Sequence, residues 1–304
     1  MLATEEVNVT VIVENAVMGP FMEVSDFVKR YQGLGNLIAE SGLSMLVECW
    51  SESGVKTSIL MDTGRTPKVF EHNLEQLKLD LGEVNYLVIS HGHHDHTGAN
   101  TQALDRIGHS TTVITHSDTF LPRFMLMKTG RLRNIGVNPS QSLVEMEKHG
   151  GNAALPKNPI PLGPGILTSG EIERTTDFEE SKVFYRVKNS QFEQDPLLDD
   201  QALIINIEDK GLAILLGCGH SGVINTIRHA QKITGIKEIY AVLGGFHLIQ
   251  ASEDRLKRTL EELIKLNLKV LAPFHCTGLN ATSEMLRKIP TCFQYVTTGS
   301  VIKL

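Results

Sequence analysis

The feature that most constrains this chain is a short apolar segment, residues 86–90, that runs directly into His91-Gly92-His93-His94-Asp95-His96. Five ionisable side chains crowd into six positions. Gathering so many imidazoles where a buried strand ends is tolerable only if something binds them. Imidazole and carboxylate ligands together suit zinc, iron or manganese. The run therefore predicts a metal site at a sheet edge, with His91, His93, Asp95 and His96 as ligands.

Apolar periodicity and turn residues predict strands alternating with helices in two halves of the chain. Strands are predicted at 7–14, 43–49, 56–62, 85–90, 111–115, 201–208, 212–217, 238–244 and 270–274, and helices at 66–79, 96–107, 142–149, 222–234 and 252–266. This order is typical of two mixed sheets packed face to face with helices outside, an α/β architecture. No Pro/Ser/Gly linker divides the chain. We interpret 1–304 as a single domain, with about 120–199 as an inserted cap.

Composition narrows the expected partners and cellular compartment of the protein. The 304 residues are 41% hydrophobic, enough for a full core, and the net charge of -6 argues against a sequence-independent nucleic-acid surface. No apolar run reaches the ~18–20 residues that span a bilayer, and the acidic N-terminus does not resemble a signal peptide. Four scattered cysteines do not form a disulfide framework. We expect a cytoplasmic protein without nucleic-acid or membrane partners, and a homodimer as the default assembly.

The histidine run also carries a family resemblance. HGHHDHTGA resembles the H-x-H-x-D-H signature of the metallo-β-lactamase superfamily, and Asp62-Thr63-Gly64 resembles the aspartate-containing turn that precedes it there. The resemblance implies a four-layer αββα sandwich with a dinuclear centre at one edge. It implies His91 and His93 on the first metal, and Asp95 and His96 on the second. Asp62 is expected either as a ligand or as a carboxylate behind the ligands.

The second half of the chain should complete the ligand set. His275 resembles the final histidine of the superfamily, a ligand of the second metal. Most members have a Gly-Asp pair whose carboxylate bridges the metals, whereas this chain has Gly217-Cys218. Either Cys218 or His220 could take that role. The alternatives are a small buried thiol for Cys218 and a hydrogen bond at a helix start for His220.

The third histidine that the superfamily places on the first metal is missing from its usual stretch, here 198–203. His220 could reach back to fill the place. Asp200 could instead be a ligand, or a carboxylate that orients an imidazole. The sequence leaves these alternatives open.

Several further runs narrow the resemblance within the superfamily. They are GCGHSGVINT (217–226), GGFHL (244–248), HCTG (275–278), SGEIER (169–174) and ITHSDTF (114–120). Together they resemble a prokaryotic subgroup described as metal-dependent hydrolases of β-lactamase superfamily II. Some archaeal members of it are named 7,8-dihydropterin-6-methyl-4-(β-D-ribofuranosyl)-aminobenzene-5′-phosphate synthases.

Other side chains are candidates for substrate binding. His247 follows a double glycine at a strand end and is predicted to contact substrate or transfer a proton, with a structural histidine as the alternative. His116, Glu171 and Arg174 are candidates for holding a polar substrate group, against an ordinary hydrogen bond or salt bridge. The cap also carries a basic cluster that could face an anion such as phosphate, although a solvated loop is the commoner explanation. Its members are Arg123, Lys128, Arg131 and Arg133.

The leading functional hypothesis is hydrolysis with two divalent ions, zinc first and manganese or iron as alternatives. The ions would lower the pKa of a shared water from about 15.7 to about 7. Asp95 would bind one ion and orient the nucleophile, and His220 or His247 would protonate the leaving group. The expected substrate is a small ester, lactone, amide or phosphoester, including phosphorylated or pterin-like molecules.

Three alternatives to hydrolysis remain. The first is a synthase in which an aminobenzene ribose phosphate displaces pyrophosphate from a pterin methyl diphosphate. For that reaction Phe120, Phe124 and the cap arginines could line the pterin and phosphate slots. The other two are an iron protein with redox chemistry and a binding module without catalysis.

Overall fold

The computed structural model describes residues 1–18, 25–30, 36–180 and 182–304. Its strands are β1 Glu6–Val13, β2 Val28–Arg30, β3 Ser44–Trp50, β4 Lys56–Met61, β5 Tyr86–Val88, β6 Thr111–Ile114, β7 Arg123–Leu126, β8 Leu132–Asn134, β9 Gly151–Ala154, β10 Pro161–Gly163, β11 Ile166–Thr168, β12 Phe184–Lys188, β13 Gln191–Gln194, β14 Ala202–Ile207, β15 Gly211–Leu216, β16 Ile239–Gly245, β17 Val270–Phe274 and β18 Ser300–Lys303. Its helices are α1 Pro67–Leu77, α2 Asn100–Ile107, α3 Leu143–Lys148, α4 Val223–Thr234, α5 Glu253–Lys265 and α6 Leu279–Lys288.

The strands form two large sheets and one small one. The first large sheet has the order β2-β18-β1-β3-β4-β5-β6-β9 and the second β10-β11-β14-β15-β16-β17. Buried residues of both sheets, such as Val9, Val47 and Leu215, meet in one central core. Helices α1 and α2 cover the outer face of the first sheet, and α4 and α5 cover that of the second. The predicted four-layer αββα sandwich is confirmed.

The covering helices begin and face inward for local reasons. Thr66 caps α1 by accepting a hydrogen bond from the Val69 amide, and Pro67 occupies the first helical position, where no amide hydrogen is needed. Leu74 lies on the same face as Phe70, one turn earlier, and this stripe packs onto the first sheet. Among the described residues, no helix has both the length and the apolar composition that crossing a bilayer requires.

The segment 120–199, predicted as a cap, is distributed over all three sheets. Strand β9 joins the first large sheet, and β10 and β11 join the second. The remaining strands form a small separate sheet in the order β13-β12-β7-β8, which we call the cap sheet. Residues 120–141, where the sequence predicted no strand, contribute two of its strands. These strands have only four and three residues, too short to show an alternating pattern.

One predicted helix is shorter than expected. Its first turn, 96–99, is a loop, and α2 begins at Asn100. The reason is a set of backbone hydrogen bonds to the turn at 63–64, where the Thr63 amide donates to the His96 carbonyl over 2.8 Å. Helix α6 and strand β18 were not predicted.

Strand direction brings the chemistry to one edge. Neighbours β4 and β5 are parallel, as are β15, β16 and β17. The residues that follow these strands therefore emerge together at their carboxyl ends, where open α/β sheets bind ligands.

Candidate metal centre

Three buried histidines converge on one point. The His91 Nε2 atom lies 3.0 Å from His93 Nδ1, which lies 3.2 Å from His220 Nε2. A ring nitrogen carries either one hydrogen or one lone pair, so His93 Nδ1 cannot hydrogen bond to both neighbours. The spacing is close to the ~3.3 Å edge of a tetrahedron with Zn–N bonds of about 2.0–2.1 Å. This first donor group fits a divalent cation. His220 lies where a third histidine of the first metal is expected, the position for which the sequence left alternatives open.

A second donor group lies beside the first. It consists of Asp95, His96 and His275, whose donor atoms all lie within 4.8 Å of one another. The His96 and His275 Nε2 atoms are 3.1 Å apart, and the Asp95 carboxylate lies 3.9 Å from His275 Nε2. A carboxylate with two imidazoles is a donor set that zinc, iron or manganese accepts.

Cys218 lies between the two groups. Its sulfur is 3.1 Å from His96 Nε2 and within 4.8 Å of the donor atoms of both His91 and His96. Of the two residues considered for bridging, Cys218 thus lies within 4.8 Å of donor atoms from both groups, whereas His220 belongs to the first. Burial raises the pKa of the Cys218 thiol, so a cation is needed to hold it as a thiolate.

Polar partners orient the ligand rings from behind. Asp62 Oδ2 accepts a hydrogen bond from His96 Nδ1 over 2.7 Å, and both carboxylate oxygens are also held by Ser90. The Ser90 hydroxyl contacts His91 Nδ1 at 2.9 Å, and Asn15 contacts His275 Nδ1 at 3.3 Å. Such contacts fix which ring nitrogen faces a metal. Asp62 therefore lies behind the ligands, while Ser90 and Asn15 were missed because isolated Ser and Asn residues carry no sequence signal.

The backbone at this edge is held in an unusual conformation. Asp62, His247 and His275 have positive φ values of 60°, 46° and 55°. Non-glycine residues rarely adopt this left-handed region, which costs of order 1–3 kcal/mol each and is concentrated at functional sites.

A buried ion pair connects the cap sheet to the histidine run. Asp199 accepts a hydrogen bond from the Gly92 amide over 2.7 Å and pairs with Arg123 at 2.7 Å. A Cβ on Gly92 would lie 1.9 Å from the Thr119 carbonyl oxygen, so only glycine fits there. Arg123 is fully buried and also pairs with Asp195. The expectation that Arg123 faces an anion is wrong, because these carboxylates already neutralise it.

Asp200 is not part of either donor group. Its buried carboxylate accepts a hydrogen bond from the Ser221 amide over 2.7 Å, in the loop that carries His220. Burial raises the pKa of Asp200 to about 6. Asp200 thus supports this loop through its backbone, which is neither the ligand role nor the imidazole-orienting role considered from the sequence.

The two donor groups differ in charge. Burial, reinforced by neighbouring imidazoles, lowers the pKa of His91 and His220, and burial with the Arg123 charge lowers that of His93. Burial also acts on His96, but the Asp62 carboxylate outweighs it and raises the pKa of His96 to about 9. The pKa of Asp95 is held below its usual range, although burial opposes this, by the His94 ring and the nearby imidazoles.

A cleft of about 250 Å³ opens onto the donor groups. Its lining includes Asp95, Cys218 and His275 from the groups, His247 beside them, and Arg133 from the cap sheet.

The other substrate-binding candidates lie elsewhere. His116 is buried and pairs with Glu171 at 2.9 Å, while its Nδ1 accepts a hydrogen bond from the Asp118 amide. Arg174 donates to the backbone carbonyls of Pro196 and Leu197. None of these three candidates lines the described part of the cleft. The structure therefore assigns them to hydrogen bonds that hold the loops around the site.

Comparisons with known proteins agree with this geometry. Residues 38–185 match the sequence model of the metallo-β-lactamase superfamily. A protein of Methanocaldococcus jannaschii is 33% identical over 276 residues, which cover 87% of this chain and 90% of that protein. The chain therefore belongs to the metallo-β-lactamase superfamily and is an enzyme of that fold.

That relative is named 7,8-dihydropterin-6-methyl-4-(β-D-ribofuranosyl)-aminobenzene-5′-phosphate synthase. A second M. jannaschii protein, named only as uncharacterized, is 29% identical over 247 residues, covering 81% of this chain and 88% of its own length. The crystal structure of Tm1679, a metal-dependent hydrolase of the β-lactamase superfamily, superposes with a TM-score of 0.76 at 20% identity over 98% of each chain. This last likeness shows the fold, and the resemblance read from the sequence is confirmed.

Proposed function

We propose that this enzyme is a metal-dependent hydrolase of a small ester, lactone, amide or phosphoester. The observation that carries the proposal is the pair of donor groups joined by Cys218 at the floor of an open cleft. Two divalent cations held there would act as Lewis acids and would lower the pKa of a water from about 15.7 to about 7. Zinc is the first expectation, because imidazole, thiolate and carboxylate are its usual ligands.

Two side chains, Asp95 and His247, take the remaining catalytic roles. Asp95 would bind the cation of the second group. Part of its carboxylate is exposed to the cleft, where it would accept a hydrogen bond from the attacking water and orient it. His220 is taken up by the first group, which leaves His247 to deliver a proton to the leaving group. The His247 ring lines the cleft, and its centroid lies 4.2 Å from that of His220.

The proposal is tested by elemental analysis and by activity on a panel of esters, lactones and phosphoesters. We expect about two metal ions per chain and hydrolysis that a chelator abolishes. In His247→Gln we expect kcat to fall by about 10²–10⁴-fold with metal content unchanged. His229→Gln is the matched control, because His229 hydrogen bonds to the Ser169 carbonyl away from the cleft. Metal-loaded protein that is inert across the panel would refute hydrolysis, and loss of metal in His247→Gln would make His247 a ligand.

A second candidate is the synthase reaction, which the name of the 33% identical relative favours. In it, the amine of an aminobenzene ribose phosphate displaces pyrophosphate from a pterin methyl diphosphate. The same donor groups would hold the cations that stabilise the leaving pyrophosphate.

Incubation with both substrates separates the two reactions. Pyrophosphate release that requires the amine donor supports the synthase. Release at the same rate without the donor supports hydrolysis.

A further inference from the structure

The cap sheet presents a row of three side chains to the cleft. Phe184 on β12 is paired with Met125 on β7, and Met125 is paired with Arg133 on β8. Directly paired residues project to the same face of a sheet, and all three line the cleft. The row therefore runs across three strands from an aromatic ring, through a thioether, to a guanidinium.

The inner end of the row lies against the first donor group. The Phe184 ring centroid is 5.3 Å from that of His93 and 5.0 Å from that of His220, and Phe184 is only 3% exposed. Neighbouring strands are about 4.8 Å apart, which puts Arg133 about 10 Å further out. Arg133 is exposed to solvent, so the row runs from a buried residue, Phe184, to an exposed one.

The outer end of the row carries an uncompensated charge. Other cations of the cap sheet are neutralised: Arg186 pairs with Asp118 and Glu193, and Lys188 pairs with Asp118. Arg133 has no carboxylate partner within the described ranges of the chain. It is also the one Lys or Arg among the described residues that line the cleft. A free guanidinium beside an apolar wall is suited to a bidentate contact with an oxyanion.

We infer that Arg133 binds a terminal oxyanion, a phosphate or a carboxylate, on a substrate whose apolar body lies along Met125 and Phe184. The inference rests on the proposed function, since the reacting bond of the same substrate lies at the donor groups. The anion is remote from that bond, at about 10 Å, or two strand spacings. Small neutral esters would therefore be poor substrates even though they reach the metal edge.

The test measures binding to the metal-loaded protein with three probes that share one apolar body. They are 4-phenylbutyl phosphate, 4-phenylbutanoate and the neutral 4-phenylbutanol. Binding is measured by calorimetry for the unmodified chain, Arg133→Met and Arg133→Lys. The matched control is Arg131→Met, which removes another exposed arginine just before β8 that does not line the cleft.

We expect Arg133→Met to weaken at least one anionic probe tenfold or more, to leave the neutral probe unchanged, and Arg133→Lys to recover part of the loss. A larger loss for the phosphate identifies a phosphate subsite, and a larger loss for the carboxylate identifies a carboxylate subsite. Equal weakening of all three probes would overturn the inference, as would the same anion loss in Arg131→Met or no loss in Arg133→Met.

Failure of this inference differs from failure of the proposed function. If metal-loaded protein hydrolyses nothing but still discriminates the anionic probes through Arg133, hydrolysis is refuted and the subsite stands. If it hydrolyses panel substrates and Arg133→Met binds every probe normally, hydrolysis stands and the subsite is refuted.

Discussion

The two donor groups share a thiol but differ in charge and in support. His91, His93 and His220 are neutral donors, and the outward ring nitrogens of His93 and His220 have no hydrogen-bond partner among the described residues. The second group contains the Asp95 carboxylate, its His96 ring is held by Asp62, and its His275 ring contacts Asn15. Once a cation displaces the His96 proton, the second group is anionic, and both of its rings are held from behind. In the first group only His91 has such a contact, from Ser90.

This difference implies that the second group binds a metal ion more tightly than the first. A cation in the second group meets carboxylate charge that offsets its loss of hydration, whereas in the first it meets imidazoles alone. The Cys218 sulfur is the group through which the first site gains an anionic ligand. We expect the second group to fill first during metal titration, and the first group to follow.

The largest effect should come from Asp95→Asn, because it removes the carboxylate that sets the two groups apart. We expect metal content to fall from about two ions to about one per chain. Activity should fall by more than the 10- to 100-fold typical of removing an outer partner. Elemental analysis and kcat/KM measure both. The matched control is Asp80→Asn, which makes the same change at an exposed carboxylate that accepts the Gly82 amide and belongs to neither donor group; equal losses in the two variants would contradict the assignment.

Cys218→Ser should weaken the coupling between the groups. In cobalt-substituted protein, a thiolate ligand gives a near-ultraviolet charge-transfer band, which we expect to disappear in Cys218→Ser with weaker binding at the first group. Cys276→Ser is the matched control, since the Cys276 sulfur contacts the Cys218 carbonyl at 3.3 Å from the neighbouring loop. A band that survives in Cys218→Ser and is lost in Cys276→Ser would transfer the bridging role to Cys276.

A smaller effect is expected from Asp62→Asn, which acts on the second group only through His96. Loss of an outer partner should weaken metal binding there by about 10- to 100-fold and leave the first group unchanged. Asp105→Asn is the control, because it breaks an Asp–His pair with His149 at the surface. Equal weakening of both groups would show that Asp62 acts on the fold and not on one ligand.

The Asp62–His96 pair also predicts how metal binding depends on pH. With its pKa raised to about 9, metal-free His96 is protonated at pH 7, and a cation must displace that proton. Binding at the second group should weaken about tenfold for each unit of pH below 9 because of His96. The imidazoles of the first group are neutral above 6.5, so any pH dependence there comes from the shared Cys218 thiol. Without metal the sign reverses: the His96–Asp62 pair stabilises the fold fully below 6.5, and this stabilisation is lost as pH rises through about 9. Calorimetry in buffers of different protonation enthalpy counts the protons released.

Within each group, the ligands differ in how far the sequence predicted them. His91, His93, Asp95 and His96 are contiguous, so the end of one short strand brings them together. Cys218, His220 and His275 come from loops after β15 and β17, and only the parallel pairing of those strands with β16 makes them neighbours. The sequence could name these three residues but could not decide whether Cys218 or His220 bridges.

The cap sheet was the least predictable region. Its strands are short and mix charged with apolar residues, and the row of Phe184, Met125 and Arg133 depends on a register set by pairing across about 60 residues of chain. The basic cluster predicted from the sequence contains arginines that differ in burial and in ion pairing. Arg123 is buried between two carboxylates, whereas Arg133 lines the cleft. Charge alone does not distinguish them, and strand face does not either: Arg123 is two residues from Met125 on β7, and Met125 is paired with Arg133, so both arginines lie on one face. They differ in their surroundings, because Arg123 meets two buried carboxylates whereas Arg133 is exposed on the outer strand β8.

The smallest effect is expected from Asp200→Asn, which tests whether the first group is complete without a carboxylate. The asparagine oxygen can still accept the Ser221 amide, and the buried negative charge, which burial disfavours, is removed. We expect unchanged metal content and a free energy of unfolding, measured by urea denaturation, within about 1 kcal/mol of the parent or higher. Asp200→Ala, which removes the acceptor, should cost about 1–3 kcal/mol and weaken the first group by displacing His220. Loss of one metal ion in Asp200→Asn itself would instead make Asp200 a ligand, and the first group would then carry a charge of its own.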